Sequence, residues 1–204
     1  MSKYYQLKVS LTGIQPEIFR TFTLPCDATF FDLHSAIQFA CGWGNYHGYT
    51  FQNEDEEDLA KPYSSEFIEI NEDEYDDTIP DDIALKLSSY FQDGNKAEKC
   101  LYLYDLQDYW LHTVTLQQIV EDDTIFLRKL LDGARSFPPE SCGGIRGYQE
   151  LCALKETSRI PDSLDWSDAA NIIELLDEWS PNDFHFNRLK AIFDLPAQFQ
   201  KQSA

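Results

Sequence analysis

The stretch YQLKVSLTGIQPEIFRTFTLPCDATFFDLHSAIQFACG, residues 5–42, decides the fold class. Tyr5, Leu7, Val9 and Leu11 alternate with polar residues, which is the period of a half-buried strand. Thr12 and Gly13 open a turn that Pro16 closes, and Ile18, Phe22 and Leu24 share one face of a second strand. Residues 5–24 therefore read as a β-hairpin. Arg20 falls on the same face as those apolar residues. A guanidinium turned toward a core needs a carboxylate or carbonyl partner, or an anion from a ligand. Pro25 ends the strand, and Thr29-Phe-Phe-Asp32 has the form of a capping box. Phe30, Leu33, Ile37 and Ala40 then recur at helical spacing until Gly42 stops the helix. His34 lies on this apolar stripe, where a histidine ordinarily serves as a hydrogen-bonded core residue. Strand, turn, strand and helix make a ubiquitin-like opening and predict an α+β fold.

Working outward, Trp43, His47, Tyr49 and Phe51 lead into a further strand. Residues 52–83 form an acidic excursion in which fourteen Asp and Glu face the single base Lys61. That imbalance reads as a solvated excursion, with a docking surface for a basic partner or a mimic of a phosphate backbone as sharper readings. The apolar positions Ile83, Leu85, Leu87 and Phe91 predict a helix over 80–91, and Asp93-Gly94-Asn95 a turn. Strands at 101–104 and 109–116 flank Asp105-Leu-Gln-Asp108 as a second hairpin, and helices follow near 148–155, 168–179 and 183–193. There is no internal repeat or linker. The chain reads as a single compact domain over 1–196, antiparallel hairpins packed on helices with a helical C-terminal part, and a tail at 197–204.

Composition limits the function classes. A formal charge of −20 repels nucleic-acid backbones and anionic membranes, so direct binding to bare DNA or to a membrane is not expected. The five cysteines are scattered without a C-x-x-C pair, which fits reduced thiols rather than a disulfide framework or a zinc ribbon. No apolar run approaches the roughly 18 residues of a spanning helix, and the first residues alternate instead of forming a signal peptide. A soluble, cytoplasmic protein is expected.

Three patches stand out. The first joins Leu33, His34, Gly42, Trp43 and His47; the second joins Tyr104, Asp105, Asp108, Trp110 and His112; the third joins Pro138, Pro139, Glu140, Gly143, Gly144, Gly147 and Tyr148. Their order and spacing resemble the Ri-plasmid open-reading-frame-three-like family, which includes a resolvase-named passenger protein of a mycobacterial insertion element. The resemblance runs from about Tyr5 to about Leu189 and takes in Pro16, Ile18, Arg20 and Phe51. Two departures stand inside it. Leu106-Gln107 replaces the family's Phe-Gly, and Ser141 replaces an aspartate. The resemblance implies a compact α+β domain often carried on plasmids and mobile elements, and no particular reaction. The chain has no basic tail of the kind a serine recombinase needs.

Three uses of these patches are open. In the first, Trp43, Tyr104, Trp110 and Tyr148 wall a groove in which Arg20, His34, His47, Asp105, Asp108, His112, Glu140, Gly143 and Gly144 contact a small molecule or a protein partner, without catalysis. In the second, Asp108, His112, His47 and Glu140 bind a divalent metal in a hydrolase-like enzyme. In the third, Ser141 or Cys142 is a nucleophile beside one of the histidines. The bland alternative is that the aspartates cap their own turn and the histidines bond to backbone. The sequence demands no cofactor.

Overall fold

The computed structural model describes residues 1–60, 81–92, 98–159 and 166–196. The hairpin is formed by β1 (Ser2–Leu11) and β2 (Phe19–Pro25), paired antiparallel with Tyr5 opposite Leu24 and Val9 opposite Arg20. Helix α1 (Phe30–Cys41) follows, and its capping box is complete: Asp32 N–H donates to Thr29 Oγ1 at 3.2 Å, and Thr29 N–H donates to Asp32 Oδ2 at 2.9 Å. Gly42 ends the helix in the left-handed conformation, with its N–H on Gln38 O.

Strands β3 (Tyr49–Gln52), β4 (Asp58–Ala60), β5 (Lys99–Tyr104), β6 (Trp110–Asp122), β7 (Phe126–Ala134) and β8 (Leu195–Pro196) join the hairpin. Among the described residues they form an eight-stranded sheet in the order β4-β3-β5-β6-β1-β2-β7-β8, every pair antiparallel. Helices α2 (Gly144–Thr157), α3 (Trp166–Glu178) and α4 (Phe186–Phe193) complete an α+β unit. Cross-strand register then selects the core. Tyr104 lies opposite both Tyr49 and Trp110, while Tyr102 lies opposite Phe51 and His112. The face that carries Leu7, Val9 and Leu11 is thus continued by a row of aromatic rings.

The structure corrects the sequence reading in two places. Residues 81–91 do not form the expected helix; a single 3-10 turn spans Leu87–Ser89. Their backbone is taken up by the start of α1, where Phe30 N–H bonds to Leu85 O, Phe31 N–H to Asp82 O, and Leu87 N–H to Ala28 O. Strand β7 was not anticipated, because FLRKLLDGA lacks clean alternation. It is fixed by pairing with β2. The Asp93-Gly94-Asn95 turn, the middle of the acidic excursion (61–80) and the tail 197–204 lie outside the described residues.

Candidate functional site

The three sequence patches meet at one corner, between the loop after α1, the β5–β6 turn and the loop before α2. Trp43 is 8% exposed and stacks on Tyr104 with ring centroids 5.0 Å apart. It meets His112 and Phe137 edge-on at 5.4 and 5.8 Å, with Trp110 at 6.2 Å. Its indole Nε1–H donates to Pro138 O at 2.8 Å, and the Trp179 indole donates to Phe137 O at 2.9 Å. Two indoles therefore pin consecutive carbonyls of the proline loop.

Glu140 locks the same loop from its other side. Its carboxylate accepts from Gly44 N–H at 2.6 Å, from Tyr46 N–H at 3.4 Å and from the Tyr104 hydroxyl. Burial, and then the hydrogen bond to Glu140, hold the Tyr104 phenol well above its usual range. Asp108 Oδ2 accepts from Gly143 N–H at 3.0 Å. Gly144 begins α2 at a φ of +66°, so close to the β5–β6 turn that a Cβ would lie 2.7 Å from Asp108 O. Only glycine meets both demands. Asp105 is buried at φ +59° and caps its own turn, its Oδ1 accepting from Gln107 N–H and Asp108 N–H.

The two buried histidines have assignable tautomers. The Gln38 amide donates to the Tyr102 hydroxyl at 2.9 Å, which leaves that hydroxyl to donate to His34 Nδ1 at 2.8 Å. His34 Nε2–H then donates to Asn45 Oδ1 at 2.9 Å, and the ring stacks on Tyr49 at 3.5 Å. His112 Nδ1 faces a carbonyl, Tyr102 O, at 3.2 Å and must carry the proton; its Nε2 is buried without a partner among the described residues. Burial pushes His34 down to about 3 and His112 down to about 4, so both are neutral at physiological pH.

His47 is more open. Its Nε2 lies 2.8 Å from Ser141 Oγ and 3.5 Å from Asp105 Oδ2. A serine triad needs the hydroxyl and the carboxylate on opposite ring nitrogens, whereas here both approach the same one. Cys142 is half-buried, and burial followed by the nearby Asp108 pushes its thiol up to about 12, far from a reactive thiolate. Asp108, His112, His47 and Glu140 each have separate partners. Among the described residues no group of three or more His, Cys, Asp or Glu is arranged to hold a metal ion.

The motif pattern has its counterpart in known proteins. The family model described as plasmid pRiA4b ORF-3-like protein matches residues 3–188. The chain belongs to that family. It is similar to an uncharacterized protein, y4hQ, of Sinorhizobium fredii strain NGR234, with 30% identity over 97% of this chain and 95% of that one. A crystal structure of a protein of unknown function from Methanosarcina mazei Go1 is also similar, with a TM-score of 0.71 and 29% identity over 92% of this chain and 98% of that one. Among the described residues no helix is long and apolar enough to cross a membrane.

Of the matched residues, Trp43, Tyr104, Asp105, Asp108, Trp110, His112, Glu140, Gly143 and Gly144 come together at the corner, with His47 at its rim. His34 sits apart from it, bonded to Tyr102 and Asn45 and stacked on Tyr49. Arg20 is held beside it, by backbone carbonyls of α1, β2 and β7, and meets the corner through Phe137. Tyr148 is buried on α2 against Trp179 at 5.9 Å. Sequence reasoning missed Phe137, 4% exposed, and Asn45, the acceptor for His34, which sits at φ +59°. Phe137 could have been found from its place between Ser136 and the Pro-Pro pair. Nothing local marks Asn45.

One consequence concerns Gly147. A methyl at this position would overlap the Cys142 carbonyl oxygen, which is backbone and cannot rotate away. Helix propensity alone favours alanine over glycine by about 1 kcal/mol. We expect Gly147→Ala to destabilise instead, by about 2 kcal/mol, as the 141–143 corner is forced off the hairpin. Urea unfolding midpoints check this, and an unchanged or raised midpoint would mean that the corner shifts freely.

Proposed function

We propose that the protein is a non-enzymatic recognition module that takes a small, largely apolar molecule in the groove between α2 and α3. The corner formed by the three patches is its frame: the carboxylates of Glu140 and Asp108 are engaged by amides of the neighbouring loops, and they set where α2 begins. The observation that carries this reading is a cavity of about 630 Å³ running along α2 from Cys142 and Gly147 past Leu151 and Leu154 to Ile172 and Leu175 of α3. That volume falls within the roughly 300–1,000 Å³ of small-molecule sites, whose walls are mostly apolar with few polar groups. The neutral Cys142 thiol suits such a wall. Glu150 at the edge is paired with Arg146 at 2.9 Å, and Lys155 Nζ bonds to Leu176 O, tying the two helices together.

The test uses N-phenyl-1-naphthylamine, a neutral apolar dye. Saturable one-to-one binding to the native protein is expected, with a Kd of about 10 μM. Leu154 is half-buried at the groove, so Leu154→Glu should abolish the signal while leaving the unfolding midpoint nearly unchanged. Absent binding, or binding indifferent to Leu154→Glu, would sink the reading. Displacement of the dye only by a helical peptide would move the assignment to a protein partner.

A further inference from the structure

Arg20 is a buried cation that forms no ion pair with a carboxylate among the described residues. It is 4% exposed on β2, opposite Gly133 of β7. The missing side chain at Gly133 makes the room, since a Cβ there would lie 2.6 Å from Phe184 Cζ and 2.8 Å from Arg20 Cδ. Phe184 enters that space and packs on the guanidinium at 4.1 Å, with Phe137 at 4.9 Å.

The donors can be counted. A guanidinium has five N–H groups. Nε donates to Ala40 O at 3.2 Å, and Nη1 donates to Phe19 O at 2.7 Å and Ala134 O at 3.1 Å. The two N–H groups of Nη2 have no hydrogen-bond partner among the described residues. Three neutral carbonyls orient the side chain without neutralising it. Burial lowers its pKa to about 10, which still leaves it charged at neutral pH.

Arg20 also lines a cavity of about 260 Å³, with Arg188 and His185 from the start of α4 and Asp183 as the carboxylate on its wall. Arg188 is exposed and enters no ion pair among the described residues. In a chain of net charge −20, this is a local site where cationic groups outnumber anionic ones. A mostly buried guanidinium with two in-plane donors that no described residue accepts is the arrangement that binds carboxylate or phosphate oxygens.

We infer that this cavity is a binding site for a small oxyanion, a carboxylate or phosphate group, with Nη2 of Arg20 as its fixed donor and Arg188 as the mobile one. The site is distinct from the α2–α3 groove and stands or falls separately from it. Its size admits the anionic group and a short organic tail, not a polymer.

Calorimetry and thermal unfolding with inorganic phosphate and with acetate, at low ionic strength against matched chloride, test this inference. Saturable binding of at least one anion is expected, with a Kd of about 1 mM or tighter and a raised midpoint. The tighter of the two names the ligand's anionic group. Arg188→Gln should weaken binding about tenfold without changing the midpoint in the absence of anion. Arg20→Lys, which keeps the charge and loses the fork, should abolish binding; if it fails to fold, Arg188→Gln decides alone. No saturable binding of either anion up to about 20 mM, or an affinity unchanged in Arg188→Gln, would overturn the inference.

Discussion

Replacing Trp43 with alanine is expected to destabilise the protein by about 4 kcal/mol, within the range for removing a buried tryptophan. The ring is packed against Tyr104, Trp110, His112 and Phe137 at once, so a void there has walls fixed by two strands and cannot collapse easily. The substitution also takes the donor from Pro138 O, adding about 1 kcal/mol for a carbonyl left without its partner. Trp43→Phe separates the two contributions. It retains most of the ring packing but not the N–H, and should cost about 2 kcal/mol. Urea denaturation of the three proteins measures the series. A loss below about 1 kcal/mol for Trp43→Ala would mean that the proline loop is held by Glu140 and Asp108 without the aromatic cluster.

Acid should unfold the protein through its two buried histidines. In the unfolded chain each imidazole takes up a proton near pH 6.5; in the folded protein the values are about 3 for His34 and about 4 for His112. Both are depressed, so the unfolded state binds more protons as the pH falls below 6.5. The stability these groups confer is fully present above that pH and is lost progressively toward pH 4. Each fully protonated-on-unfolding group contributes a slope of about 1.4 kcal/mol per pH unit. The pair should therefore remove about 3–5 kcal/mol between pH 6.5 and 4.5. Relief of repulsion among the acidic residues acts in the opposite direction, and for that reason the comparison is internal. His34→Gln keeps an amide beside Tyr102 and Asn45 but does not titrate, and it should reduce the slope in this window by about 1.4 kcal/mol per pH unit. An unchanged slope would show that His34 protonates in the folded state.

The sequence by itself determined the β1–β2–α1 opening, the β5–β6 hairpin and the family. Alternation at Tyr5 to Leu11, the Thr29–Asp32 box and Gly42 are local features, and local features are written in neighbouring residues. It also singled out most of the residues that meet at the corner, because the family pattern resides in those same residues. Only the tertiary structure decided what they do to one another. Glu140 bonds to amides nearly a hundred positions earlier, and His112 is enclosed by rings from three separate segments. Such pairings depend on which strands become neighbours, and strand order has no local period to read. The same reason explains the misread segment at 81–91, whose short turns are held against residues 28–31 at the start of α1, and strand β7, whose identity rests on β2. Arg20 shows the division most plainly. Its place on an inward face follows from alternation, whereas the carbonyls of Ala40 and Ala134 that hold it and the glycine that makes room beside it come from α1 and β7, brought to β2 only by folding.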